Sequence, residues 1–232
     1  LVFENPKGKP GHWKRHQVFD WVSNESPTLT NLVGDKRPEL ICTKRGQFGY
    51  VTVDWGNPLK EWTFHAVSGA VTSQKFGHGL GVGDVNGDGR LDIIHKDGWF
   101  AQPPSDKETW KAHKFVFAPR GGAQMFACDG DGDGDNDIIT SLAAHEFGMA
   151  WFEQMKAEGD GGGIIFKKHL IMGSTRGENK YGVVFSELHA TGLHDMDGDG
   201  LKDIVTGKTY WSHHKQSPQW DAGAVVYWFK LV

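Results

Sequence analysis

Short runs in which apolar and polar residues alternate recur along the whole chain, and they return in a fixed order. A β-branched or aliphatic pair stands out in each round: Leu40-Ile41, Ile93-Ile94, Ile138-Ile139 and Ile204-Val205. Each pair directly follows an acidic residue, at Glu39, Asp92, Asp137 and Asp203. Runs of four to eight residues with a period of two, broken by glycine-rich turns, predict strands rather than helices. Four such runs fit in each round. The first (strand A) covers Ser26–Leu32, Gly79–Val85, Gln124–Cys128 and Leu188–His194. Strand B follows at Glu39–Thr43, Leu91–His95, Asp137–Ser141 and Asp203–Gly207. Strand C is aromatic, at Gly49–Trp55, Gly98–Ala101, Gly148–Glu153 and Ala224–Lys230. Strand D carries an aromatic residue three before a histidine: Trp13/His16, Trp62/His65, Trp110/His113 and Phe166/His169. Each of these histidines is expected to pack on that aromatic, with a ring nitrogen bonded to backbone.

Between strands A and B lies an acidic turn that sets the register. Asp84, Asn86, Asp88 and Asp92 occupy positions 1, 3, 5 and 9 of a nine-residue loop with glycine at position 6. Asp129, Asp131, Asp133 and Asp137 repeat it, as do Asp195, Asp197, Asp199 and Asp203. Calcium prefers six to eight oxygens, and carboxylates at alternate positions converge on one point only if the chain curls tightly at a glycine. Three calcium sites are therefore expected, each adding a backbone carbonyl at position 7, from Arg90, Asp135 or Leu201. A fourth copy begins at Asn31, but Val33 offers no oxygen and Lys36 replaces the glycine. It reads as a metal-free turn that keeps a similar backbone path.

Starts at residues 31, 84, 129 and 195 make the chain a repeat array of four-stranded antiparallel units. Repeated units of this kind, with aromatic faces that one unit cannot bury alone, predict an all-β fold, a β-propeller of about five blades. Residues 1–232 are expected to form one propeller domain: a partial blade at 1–20, full blades at 21–68, 69–118 and 119–171, and a last blade at 172–232 lacking strand D. A larger propeller whose earlier blades are absent and a five-bladed ring with one incomplete blade both fit these ends. A β-sandwich is the rival architecture, but it gives no reason for a turn repeated in register.

The 32 glycines and ten tryptophans agree with many short strands joined by turns. Twelve of the 29 acidic residues sit in the three intact loops, so the net charge of −4 would become about +2 with three calcium ions bound. No basic run suggests nucleic acid, and no apolar stretch approaches the roughly 18 residues of a membrane span. Cys42 and Cys128 stand at non-equivalent positions, which argues against a disulfide and against a catalytic thiol.

The acidic motifs, together with the phrase Gly77-His-Gly-Leu-Gly-Val-Gly-Asp, resemble the FG-GAP/VCBS-type repeat proteins, and bacterial extracytoplasmic members in particular. Their propeller is similar to the head of integrin α subunits. The resemblance implies a calcium-stabilised propeller outside the cytoplasm, on a fold that hosts adhesion modules, lectins and carbohydrate lyases or dehydratases.

In an up-and-down blade, the D–A and B–C connections lie at the end away from the A–B turns, and a ligand site is expected there. Glu25, His78 and His189 each lie six residues before the first position of their acidic turn, at the start of strand A, and Gln124 lies one residue further along in its unit. Lys44, Lys96, His145 and Lys208 follow strand B. The longest B–C connection carries Tyr210, Trp211, His213, His214 and Trp220, whose indoles suit stacking on a sugar ring. Two functions fit these residues. One is a module binding a carbohydrate or protein ligand. The other is a carbohydrate lyase or dehydratase, in which His78, His189, Glu25 and Lys208 supply a base and cations for β-elimination. A transition metal at His78 and His189 would favour the enzyme. No nucleophile triad, phosphate loop or dinucleotide motif supports other chemistry.

Overall fold

The computed structural model describes residues 1–157, 163–179, 181–211 and 213–232, without the side chain of His214. The described structure is all β, with only two single-turn 3-10 helices, Arg176–Glu178 and His214–Gln216. The chain forms two compact units, Leu1–Gly77 and His78–Val232.

The first unit opens with a two-stranded ribbon, β1 (Val2–Glu4) and β2 (Lys14–His16). A four-stranded antiparallel blade follows: β3 (Thr28–Thr30), β4 (Glu39–Lys44), β5 (Gln47–Thr52) and β6 (Thr63–Ala70), paired in chain order. Phe19, Cys42 and Val51 form a buried cluster in this unit, flanked by Leu40, Trp62 and Phe64.

Three blades make the second unit. The first is β7 (Leu80–Gly83), β8 (Asp92–His95), β9 (Gly98–Ala101) and β10 (Lys111–Lys114). The next is β11 (Gln124–Cys128), β12 (Asp137–Ser141), β13 (Met149–Lys156) and β14 (Ile164–Met172). The last has three strands, β15 (Thr191–His194), β16 (Asp203–Lys208) and β17 (Val225–Phe229). These are blades of the β-propeller type, and the four sequence-predicted strands appear in the predicted order. The inner strands β7 and β11 also pair with each other in parallel, Leu80 opposite Gln124, joining two blades into one eight-stranded sheet. Glycine makes that approach feasible, since a Cβ on Gly81 would lie 2.0 Å from the Met125 carbonyl oxygen. The side chain of Gln124 ties in the third blade, its Oε1 accepting the amide of Thr191 at 2.9 Å.

The β-branched pairs have a packing reason. Successive strand residues point to opposite faces. Ile138 joins one core cluster, with Ile94, Trp99, Phe117, Met125 and Phe152. Its neighbour Ile139 joins another, with Met149, Met172, Phe185, Leu188 and Ile204. One strand thus supplies two blade interfaces, and each such side chain contributes about 1.5–3 kcal/mol by leaving water.

The strand D histidines pack differently from the sequence expectation. His65, His113 and His169 stack on strand C aromatics directly across the sheet: Tyr50 at 4.9 Å, Trp99 at 4.6 Å and Trp151 at 4.4 Å between ring centroids. Residues three apart on a strand face opposite sides, so the aromatic on the same strand cannot be the partner. Where polar contacts are made, they go to side chains rather than backbone: His65 to Thr52 Oγ1 at 2.9 Å and His169 to Glu153 Oε2 at 2.6 Å.

Candidate metal centre

The acidic turns share one backbone solution. Positions 4 and 6 are left-handed in every copy: Gly87 and Gly89, Gly132 and Gly134, Gly198 and Gly200, with φ between 71° and 94°. Position 1 gathers the turn, as Asp129 Oδ1 accepts the amide of Gly132 and Asp195 Oδ1 that of Gly198, both at 2.7 Å. The oxygens of Asp129, Asp131 and Asp133 approach within 4.8 Å of one another, and so do those of Asp195, Asp197 and Asp199. Position 9 has a further duty inside the fold. Asp92 accepts the amides of Val85 and Gln102, Asp137 those of Gly130 and Gln154, and Asp203 those of Met196 and Leu231, at 2.7–3.0 Å. These buried carboxylates clamp the turn to the end of strand C. Burial pushes Asp92 up to about 6, against the pull of its two amide donors, and it also raises Asp137.

The loops differ in their cations. Arg90 pairs with Asp88 in the first. In the third, Lys230 pairs with Asp197 and also with Asp199 at 3.1 Å. Among the described residues, no lysine or arginine pairs with the oxygens of Asp129, Asp131 or Asp133 in the second. The Asn31 turn keeps the backbone path, with Gly34 at φ 81° and Lys36 at φ 72°.

At the other end of the blades, the second unit gathers histidines. His78 lies just before β7, His145 in the β12–β13 connection, His189 just before β15, and His213 in the β16–β17 connection. Nε2 of His78 and Nε2 of His145 are 2.8 Å apart. The ligand atoms of His78, His145 and His189 all fall within 4.8 Å, and those of His145, Glu187 and His213 do so as well. Ring centroids of His145 lie 4.6 Å from His189 and 3.8 Å from His213.

Glu187 closes the group from behind. Its side chain is 1% exposed, and Oε2 is 3.9 Å from His145 Nδ1. Neither carboxylate oxygen finds a hydrogen bond among the described residues. The backbone at Glu187 is left-handed, φ 64°, a conformation a glutamate adopts at a cost of about 1–2 kcal/mol. Its surroundings hold it there. Phe185 and Leu188 anchor the segment in the core, the Glu187 amide donates to the Glu146 carbonyl at 3.0 Å, and the Ser141 hydroxyl donates to the Leu188 carbonyl at 3.0 Å. Opposite, Gly121 lets His78 approach, since a Cβ there would meet His78 Cβ at 2.7 Å. Burial lowers the pKa of His145, and the neighbouring His213, His189 and His78 lower it further against the opposing pull of Glu187. Neutral imidazole is the form that ligates metals.

Beside the cluster, Glu187, His189, Lys208, Thr209, His213 and Val225 line a cavity of about 460 Å³. Lys208 is 5% exposed, and its Nζ donates to the Thr209 carbonyl at 3.1 Å. Other expected ligand residues are engaged elsewhere. The Gln124 amide oxygen is bonded to Thr191, and Lys96 pairs with Asp97 at 2.6 Å. In the first unit, Lys44 pairs with Asp20 at 2.6 Å. The backbone N–H of Glu25 donates to the Gly77 carbonyl at 3.0 Å, a contact that does not involve its carboxylate. Trp211 and Trp220 pack edge to face on each other at 4.9 Å, while Tyr210 is exposed. The side chain of His214 lies outside the described residues. Sequence reasoning missed Glu187; the one signal was an acid two residues before a candidate histidine in Ser186-Glu187-Leu188-His189.

No curated protein matches the chain. A solved structure, the biofilm matrix protein Bap1 of V. cholerae, aligns with 80% of this chain at 15% identity and a TM-score of 0.37. The chain spans 24% of that protein's length. No described helix is long and apolar enough to cross a membrane. Residues 31–95, which run from the degenerate acidic turn through the first intact one, match the model of the FG-GAP-like repeat.

Proposed function

We propose that His78, His145, His189 and His213 hold a divalent transition metal, and that the His78–Val232 unit binds an oxygen-rich ligand through it. The observation that carries this reading is the convergence of three histidines from three connections within 4.8 Å, backed by the buried Glu187 carboxylate 3.9 Å from His145 Nδ1. A carboxylate that accepts a hydrogen bond from a ligating histidine fixes its tautomer, and Glu187, at 3.9 Å, would have to close on His145 to serve that way. Nitrogen donors of this kind suit zinc and its neighbours rather than calcium. Two imidazole nitrogens on a tetrahedral zinc stand about 3.3 Å apart, so loading would part His78 and His145 by about half an ångström. Three or four protein ligands leave room for a ligand oxygen.

The three aspartate loops are proposed as calcium sites, and the protein as extracytoplasmic; both rest on the FG-GAP-like repeat and on the shared turn geometry. A carbohydrate or protein ligand is the module's proposed partner. A second reading, a metal-assisted lyase or dehydratase, is favoured by the buried Glu187 and Lys208 beside the cluster: a metal polarises a carbonyl or carboxylate, and a carboxylate can take the proton α to it.

Titration calorimetry of chelator-stripped, calcium-reloaded protein with Zn²⁺ tests the metal reading. One tight equivalent is expected, lost in His145→Ala while calcium stoichiometry is unchanged. Zinc uptake that His145→Ala leaves intact would refute it. Glycan-array binding with ultraviolet detection of unsaturated products separates the binding and lyase readings.

A further inference from the structure

The cavity beside the histidine cluster has a charge pattern that narrows what it accepts. Lys208 and Glu187 both line it, and both are almost completely buried. They do not pair with each other; among the described residues, the only partner of the Lys208 ammonium is the carbonyl of Thr209. A buried ammonium with only a carbonyl to face is costly, and proteins keep such a group where an anion comes to meet it. The nearby Glu187 carboxylate is turned toward His145 instead. With a divalent ion on the histidines, Lys208 and Glu187 would leave the cavity wall with two net positive charges facing an incoming anion. A cavity of about 460 Å³ lies within the range of about 300–1,000 Å³ typical of small-molecule sites, which fits a monosaccharide-sized ligand rather than a polymer strand lying flat.

We propose that this cavity is a carboxylate subsite, and that the ligand is a small hydroxy acid of the uronate type. Its carboxylate meets Lys208, and a neighbouring hydroxyl or ring oxygen completes the metal coordination. Val225 and Val226 form the apolar side of the cavity, against the carbon face of the ring. Thr209 shapes the wall behind Lys208. This assignment rests on the metal reading above and adds the ligand's charge and size to it.

The test uses the zinc-loaded protein with two probes of equal size, D-galacturonate and D-galactose. The acid is expected to bind at least tenfold more tightly than the neutral sugar. Lys208→Met should remove that preference while the zinc equivalent stays. Lys208→Arg, which keeps the charge, should hold affinity for the acid within a few-fold and guards against misfolding as the cause. Equal binding of acid and neutral sugar, or an acid preference that survives Lys208→Met, overturns the carboxylate subsite and leaves the metal centre standing. Failure of zinc to bind at all overturns both.

Discussion

The two ends of the blades in the His78–Val232 unit converge polar side chains by opposite means. At the A–B end, one local motif is written three times, each copy with nine residues, two left-handed glycines, and oxygen-bearing side chains at alternate positions. At the other end, the histidine cluster is written once, with one residue from each of four connections. The first arrangement depends on backbone conformation within a loop. The second depends on how three blades stack, and therefore on Gly81 and Gly121 letting backbones and His78 come close. A local site can be lost from one blade without harm to the next, as the Asn31 turn illustrates. A composite site is lost whenever the stacking is.

The largest effect expected to distinguish the two ends is removal of the proposed ions. In the second loop, Asp129, Asp131 and Asp133 hold their oxygens within 4.8 Å of one another, and no described lysine or arginine pairs with them. Like charges at about 4 Å repel by about 4 kcal/mol at an effective dielectric constant near 20. Chelation of calcium-loaded protein should therefore lower the melting temperature by about 10 °C, at about 2–4 °C per kcal/mol for a unit of this size. Zinc-selective chelation should move it much less, because a neutral histidine cluster carries no such repulsion. A melting curve indifferent to removal of calcium would break the comparison at its local end.

This difference also explains what was legible in the sequence. Strand order, strand bounds to within three residues, and the acidic turns are readable because they are short-range patterns repeated in register. The inward duty of Asp92, Asp137 and Asp203 was not, because their amide partners lie 7 to 28 residues away. His78 and His189 are legible as candidates because each lies six residues before the first aspartate of its acidic turn. Their meeting with His145 and His213 depends on blade stacking, which no periodicity reports. For Glu187 the sequence carries only its place two residues before His189, while its left-handed backbone depends on Phe185 and Leu188 packing in the core. Counting along one strand pairs each strand D histidine with the aromatic three residues before it, whereas the partner of His65, His113 and His169 lies across the sheet on strand C.

A second effect, of intermediate size, belongs to the composite end. His95 closes β8 there, stacked on Phe100 at 4.8 Å between centroids. Burial lowers its pKa to about 4, with Asp97 raising it and Lys96 lowering it by smaller amounts. The unfolded chain takes up this proton near pH 6.5, and the folded one only near 4. Its contribution is thus complete above pH 6.5 and is lost as the pH falls through that window, by about 3 kcal/mol at its limit. Urea unfolding at pH 7 and pH 4.5 should show His95→Gln losing less stability on acidification than the parent, by about 2–3 kcal/mol. Equal acid sensitivity of the two proteins would mean that His95 is charged in the fold already.

The smallest effect tests the local end by rebuilding it. The Asn31 turn already has the path of an intact loop. Gly34 and Lys36 are left-handed at φ 81° and 72°, Asn31 Oδ1 accepts the amide of Gly34 at 2.9 Å, and Asp35 Oδ1 accepts that of Arg37 at 2.9 Å. Glu39 takes the inward role of position 9, its Oε2 accepting the amide of Leu32 at 2.8 Å. What is missing is an oxygen at position 3 and the removal of a positive charge at position 6. Val33 is 43% exposed, so an aspartate there costs little packing. Lys36→Gly relieves a left-handed lysine, worth about 1–2 kcal/mol, but adds unfolded-state entropy of about 0.4–1 kcal/mol, so the net gain in stability is between about 0 and 1.6 kcal/mol. Val33→Asp with Lys36→Gly should therefore leave the melting temperature of the metal-stripped protein within a few degrees and add one calcium equivalent in calorimetry. Because the double variant changes side chains and keeps the path, an unchanged stoichiometry would show that Asn31 and Glu39 cannot stand in for aspartates at positions 1 and 9, and that backbone path alone does not make the site.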